Sequence, residues 1–165
     1  MRYANVIWND IVAGDGLCVS FYTQGCPHRC PGCHNPETWD FEGGQEFPAS
    51  LLDDLIRGLT AQGIKRPLCI LGGEPLCPEN IFLTTLLIRT VREKLPDTPI
   101  YVWTGYLYED LQKTGSSPHL SYILDNIDYL IDGPYDATKR DITLGLRGSE
   151  NQRVFICITR TNNSN

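Results

Sequence analysis

Short apolar runs that end in glycine-bearing polar turns recur along this chain, and stretches with helical spacing separate them. "CVSFYTQ" (18–24), "LCILGG" (68–73), "IYVW" (100–103) and "DYLID" (128–132) read as β-strands, with "RVFICI" (153–158) as a candidate fifth. Between the first two, Ser50 with Asp53 three residues on is placed to cap a helix whose Leu51, Leu52, Leu55, Ile56 and Leu59 share one face. Pro78 suits the first turn of a second helix, with Ile81, Leu86, Leu87 and Val91 as its apolar face and Pro96 ending it. After the third strand come a short helical stretch, a Gly-Ser-Ser-Pro break and a helical segment from Leu120 to Asn126. Strands that alternate with helices imply parallel βαβ units, so the expected class is α/β, and 165 residues are most economically one domain over 1–165.

In such folds ligands gather where the strands' C-terminal ends meet their loops. The distinctive stretches obey that rule. "TQGCPHRCPGCHNPETW" (23–39) follows the first strand, "GGEP" the second, "TGY" the third and "DGPY" the fourth, so four separated pieces of chain should line one rim.

Composition narrows what that rim can serve. Fourteen Lys and Arg against twenty Asp and Glu give a net charge of -6, which disfavours nucleic acid as a partner because phosphate binding relies on basic surface. A local exception runs from Lys139 to Arg160, with five basic and two acidic residues, read either as solvated surface or as an anion contact. The N-terminal "MRYANVIWND" has neither the apolar core of a signal peptide nor the Arg and Ser richness of a transit peptide, and "IFLTTLLI" is too short to span a bilayer. A cytoplasmic protein without a membrane partner is expected. Seven cysteines is an odd count, and clustered cysteines in a reducing compartment point to metal ligation or catalysis more than to disulfides.

Cys26, Cys30 and Cys33 are that cluster. Thiolates hold iron-sulfur clusters, and a cubane of four irons normally takes four, so three ligands leave one iron open for a substrate or cofactor. Pro27, Pro31 and Gly32 supply the fixed and permissive backbone angles that let so short a loop wrap a bulky group. The alternative is a zinc site completed by His28 or His34 in a binding module without catalysis, although no second ligand pair follows at zinc-finger spacing. Gly72 and Gly73 lack side chains, so a ligand can approach their backbone, and Glu74 could accept hydrogen bonds from an ammonium group; a plain strand-ending turn is the competing account. Thr104 and Asp132 close later strands on the same rim, where they either face a ligand or cap a turn. Cys18, Cys69 and Cys157 sit among aliphatic neighbours and Cys77 follows the Gly-Gly-Glu turn; packing is the expected role of all four, as of Trp39 and Trp103.

The spacing CxxxCxxC after a first strand, with "GGEP" after the second, resembles the radical S-adenosylmethionine enzymes. "DIVAGDGLCVSFYTQGCPHRCPGCHNPETW", "GGEPLCPEN", "VWTGY", "LIDGPY" and "LRGSENQR" together are similar to the activating proteins of anaerobic ribonucleoside-triphosphate reductase, from Asp10 to Arg153. That resemblance implies an incomplete parallel barrel, since a full one typically needs about 250 residues. It implies a catalytic four-iron, four-sulfur cluster on Cys26, Cys30 and Cys33. Its fourth iron would be chelated by S-adenosylmethionine, whose contacts would fall at Gly32, Cys33, His34, Gly72, Gly73, Glu74, Thr104 and Asp132. An electron from a low-potential donor such as flavodoxin would cleave the sulfonium to methionine and a 5′-deoxyadenosyl radical, and the radical would take hydrogen from a glycine of the reductase large subunit. The related alternative is an activase of pyruvate formate-lyase or another radical enzyme of the superfamily. The reductase activators that the chain resembles often have Tyr immediately after the third cysteine, where this chain has His34. The polar "LRGSENQR" motif suggests a seat for the partner's glycine loop, or else an ordinary surface turn.

Overall fold

Period-two alternation decides which side of a strand each residue covers, and here it sorts the sheet into two unlike faces. The computed structural model describes residues 1–113 and 117–157. Its strands are β1 (Arg2–Asp10), β2 (Cys18–Thr23), β3 (Gln45–Glu46), β4 (Leu68–Gly72), β5 (Ile100–Trp103), β6 (Tyr129–Asp132) and β7 (Arg153–Ile156). Its helices are α1 (Ser50–Leu59), α2 (Ile81–Lys94), α3 (Tyr108–Lys113) and α4 (Pro118–Asn126). Gly115 and Ser116 of the expected break, and Ile158 to Arg160 of the basic tail, lie outside the described residues.

The strands form one sheet in the order β3-β1-β2-β4-β5-β6-β7. The four expected strands β2, β4, β5 and β6 are parallel neighbours, whereas β1, β3 and β7 are antiparallel. The sheet is therefore mixed, which corrects the expectation of parallel units alone. Only seven residues, 11–17, separate β1 from β2, too few for a crossover, and β6 reaches β7 through a loop with a single 3-10 turn (Ala137–Lys139) and no α-helix among its residues.

One face carries Val19, Phe21, Leu68, Ile70, Ile100, Val102 and Leu130, packed against Leu51, Leu55 and Leu59 of α1, Leu83, Leu87, Ile88 and Val91 of α2, and Leu120 and Ile123 of α4. Each such side chain contributes about 1.5–3 kcal/mol by its burial, so this helix-covered face supplies most of the apolar stabilisation. The other face holds a smaller group, Cys18, Cys69, Tyr101 and Ile131, flanked by Ala13, Leu71, Trp103, Tyr129 and Leu146. With few aliphatic side chains to bury, that face and its rim can be given over to polar groups.

Two helix starts differ from expectation. Ala49, not Ser50, is the N-cap of α1 and makes no side-chain cap bond, while α2 begins at Ile81 rather than in a first turn at Pro78. Asn80 precedes α2 and sends its side-chain amide to the carbonyls of Gly25 and Glu74 (3.1 and 3.0 Å), so the residue that could have capped the helix ties two loops together instead. Among the described residues no helix is long and apolar enough to cross a membrane.

Candidate iron-sulfur and cofactor site

Because β2, β4 and β5 are parallel, the loops that follow them emerge at one edge of the sheet. The loop after β2 is stiff. Gly25 and Cys26 donate backbone N–H groups to Thr38 and Trp39 (2.8 and 3.2 Å), and the Gln24 side-chain amide spans the carbonyls of Glu37 and Asp40 (3.1 and 2.6 Å). Cys33 closes a turn onto the carbonyl of Cys30 (3.0 Å), and its Sγ accepts the N–H of Asn35 (3.4 Å).

Cys26, Cys30 and Cys33 all wall one cavity of about 230 Å³, together with His34, Gly72, Gly73, Glu74 and Thr104. The three cysteines and five of the other expected site residues thus share one wall; Gly32 and Asp132 do not. Gly32 adopts a left-handed φ of 76° and backs onto Ala137, where an added Cβ would lie 3.1 Å from the alanine methyl. All seven cysteines are free thiols. Burial pushes the Cys26 thiol up, so an electropositive centre is what would hold it as thiolate.

The residues fit an iron-sulfur group. Three free thiols stand around a cavity, the sulfur of Cys33 already receives a backbone N–H, and the buried Nε1–H of Trp39 on the same wall has no acceptor among the described residues. No group of three or more His, Cys, Asp or Glu side chains among the described residues converges on one metal ion. Thiolates are the ligands that iron-sulfur clusters take. His28 is also committed elsewhere.

That commitment is to Glu74, which is 1% exposed and accepts four hydrogen bonds. Oε1 takes the N–H of Leu76 (3.0 Å) and the hydroxyl of Thr104 (2.7 Å); Oε2 takes the N–H of Gly105 (2.7 Å) and Nε2–H of His28 (2.7 Å). The sequence suggested Glu74 and Thr104 separately as ligand contacts, but not this junction of three loops. The space beside the glycines is likewise used by the protein itself. A Cβ on Gly73 would clash with the backbone of Gly25, and Gly72 has a φ of 100° against Tyr22.

Asp132 is fully buried behind the rim. Its carboxylate accepts from Arg153 Nε (3.0 Å), from a second Arg153 nitrogen and from the Tyr108 N–H (2.8 Å). It ends β6 as expected but is turned to its own structural partners.

The "LRGSENQR" motif proves to be a wall rather than a free polar turn. Gln152 lines the cavity; its Oε1 accepts the N–H groups of Gly148 and Ser149 (2.9 and 3.2 Å), and its Nε2 donates to the Gly133 carbonyl (3.1 Å). Ser149 is fully buried. The basic tail is also partly consumed, Arg147 on the Gln152 carbonyl (3.2 Å) and Arg153 on Asp132 and Glu109. Cys18, Cys69 and Cys77 are fully buried and Cys157 packs against the helix-covered core, as free cysteines usually do. A hydrogen bond from Cys69 lowers the Cys18 thiol to about 6, and burial raises Cys77 to about 12.

Comparison with known proteins agrees with this chemistry. A family model described as a 4Fe-4S single cluster domain matches residues 12–155. The chain is 36% identical over 155 residues to the anaerobic ribonucleoside-triphosphate reductase-activating protein of Escherichia coli, covering 93% of this chain and 97% of that one. It is 35% identical over 156 residues to the protein of the same name from Pasteurella multocida (94% and 97% covered) and 33% identical over 155 residues to that of Vibrio cholerae (93% and 97%).

Proposed function

Since the chain belongs to the anaerobic ribonucleoside-triphosphate reductase-activating proteins, we propose that it activates such a reductase through a four-iron, four-sulfur cluster and S-adenosylmethionine bound in the cavity described above. The observation that carries this is the sharing of one cavity by three cysteines of one loop and the Gly-Gly-Glu of the next. Cys26, Cys30 and Cys33 would hold the cluster. His34, Gly72, Gly73, Glu74 and Thr104 would face the cofactor, with the backbone beside Gly32 and Cys33 as a further contact. Bound there, the pair would supply one-electron cleavage of the sulfonium and, through the fragment released, removal of hydrogen from a glycine of the reductase large subunit.

Around that chemistry the chain binds, orients and excludes. Glu74 presents a buried carboxylate, so a cationic amine in the cavity would meet a negative charge in poorly screened surroundings. Leu71, Trp39 and Trp103 put apolar surface on the wall, and water kept off it cannot compete for a reactive species. The mixed sheet would be the incomplete barrel of the radical S-adenosylmethionine type, its open side admitting the partner. The electron would come from a low-potential donor such as flavodoxin, and both encounters would take place in the cytoplasm.

The test is anaerobic reconstitution followed by electron paramagnetic resonance. The wild-type chain should take up about four irons, and Cys26→Ala, Cys30→Ala or Cys33→Ala should each lose the cluster because none of its three ligands is spare. With reductant and S-adenosylmethionine, a glycyl-radical signal should arise in an anaerobic ribonucleotide reductase and not in pyruvate formate-lyase. Full iron content in any of the three variants, or no signal in the reductase, would overturn the assignment.

A further inference from the structure

Of the four donors on Glu74, only one comes from the cysteine loop. Leu76 belongs to the turn of Glu74 itself and Thr104 and Gly105 to the loop after β5, but His28 lies between Cys26 and Cys30. Its ring is held on two further sides. Tyr106 meets it edge-on with centroids 4.5 Å apart, and Gly105 lies so close that an added Cβ would stand 2.5 Å from His28 Cδ2. The glycine of "TGY" is thus explained by the histidine that fills its side-chain space.

The backbone next to it is bent to make this possible. Arg29 adopts φ 47°, left-handed backbone that costs an ordinary L-residue on the order of 1 kcal/mol or more. That conformation turns the chain between His28, which is tied to Glu74, and Cys30, which lines the cavity.

We propose that His28 is a positioning residue, which fixes the Cys26–Cys30 arc relative to Glu74 and so sets the span between the cluster ligands and the carboxylate. This rests on the function proposed above, in which one cofactor contacts both ends of that span. Slack between two contacts made by one ligand costs affinity and alignment even when each contact survives. His28 touches the carboxylate through a side-chain N–H, so an amide that replaces this donor should replace its effect.

His28→Ala and His28→Gln in the full chain decide the matter. In the metal-free protein the Gly105 N–H shares Glu74 Oε2 with His28. Its hydrogen exchange should quicken about tenfold or more in His28→Ala and stay near wild type in His28→Gln. In reconstituted protein, iron content should be unchanged in both. S-adenosylmethionine affinity should fall roughly 10- to 100-fold in His28→Ala, the range for losing a hydrogen bond to a charged group, and recover in His28→Gln. The paramagnetic signal of the reduced cluster should shift to one sharp form on adding the cofactor in wild type and His28→Gln, and to a heterogeneous one in His28→Ala. Unchanged affinity and spectrum in His28→Ala would overturn the proposal, as would equal damage in both variants or loss of iron along with affinity. If His28→Ala does not fold, His28→Gln alone decides, since full wild-type behaviour is required of it. If the wild type itself binds no S-adenosylmethionine, the proposed function fails, while the exchange rates still report whether His28 holds Glu74.

Discussion

Glu74 and Asp132 are both carboxylates at the ends of parallel strands, and both are buried, at 1% and 0% exposure. They differ in what holds them. Asp132 is gripped by the guanidinium of Arg153, so its charge is answered within the protein. Glu74 is held by two backbone N–H groups, a hydroxyl and an imidazole, and neither a lysine nor an arginine is among these four donors. Dipoles keep a carboxylate in place without cancelling its charge at a distance. One strand end has therefore become a fastening, and the other keeps an attraction for a cation while facing a cavity.

Exchanging each charge for an amide should separate the two roles. Asp132→Asn weakens a buried pair whose arginine is 41% exposed, and after allowing for that access to water the cost should be about 2 kcal/mol, or roughly 5 °C in Tm. Its S-adenosylmethionine affinity should stay within about twofold of wild type, because Arg153 and Asp132 lie off the cavity wall. A large affinity loss at unchanged Tm would erase the contrast.

Glu74→Gln should show the converse pattern. Calorimetric titration under anaerobic conditions should find affinity reduced about tenfold, which is about 1.4 kcal/mol, with a smaller fall in Tm than Asp132→Asn. Wild-type affinity would make Glu74 a structural junction only.

The smallest effect sits on the outer side of the same arginine. The Arg153 side chain hydrogen-bonds Glu109 and holds its carboxyl down to about 2. A depressed carboxyl stabilises the fold fully above its ordinary value of 4.5 and ceases to do so as pH falls through 2. Glu109→Gln should thus lower Tm slightly at neutral pH, and the gap from wild type should close between pH 4.5 and 2. A gap that does not change with pH would mean that Arg153 serves Asp132 alone.

The contrast between these carboxylates could not have been read from sequence, because both follow a strand and precede a turn. Their partners, Arg153 and His28, lie 21 and 46 residues away. What was legible is local: the parallel strands β2, β4, β5 and β6 announce themselves by short apolar runs, and the three cysteines by spacing. β1 was missed because its alternation is broken, with register shifts between Tyr3 and Asn5 and between Ile7 and Asp10. The strand β7 was anticipated, but its antiparallel direction follows from a long loop without an α-helix. "CPHRC" did hold a signal for His28, since a ring beside two ligands needs a partner of its own, but nothing local names Glu74 as that partner. Polar residues of "LRGSENQR" suggested exposure, and the structure instead spends them on one another and on the end of β6 and the loop after it.

Gln152 has a further consequence, which concerns time. It walls the same cavity as Cys26, yet 126 residues separate the two, roughly 10 s of synthesis at cellular rates. The thiols are therefore made long before their enclosure. Until β7 pairs with β6 and draws residues 148–152 across, the three cysteines stand at an unfinished rim, open to oxidants and to whatever metal is at hand. The order in which the chain is made thus leaves the cavity wall incomplete until the last strand has found its place.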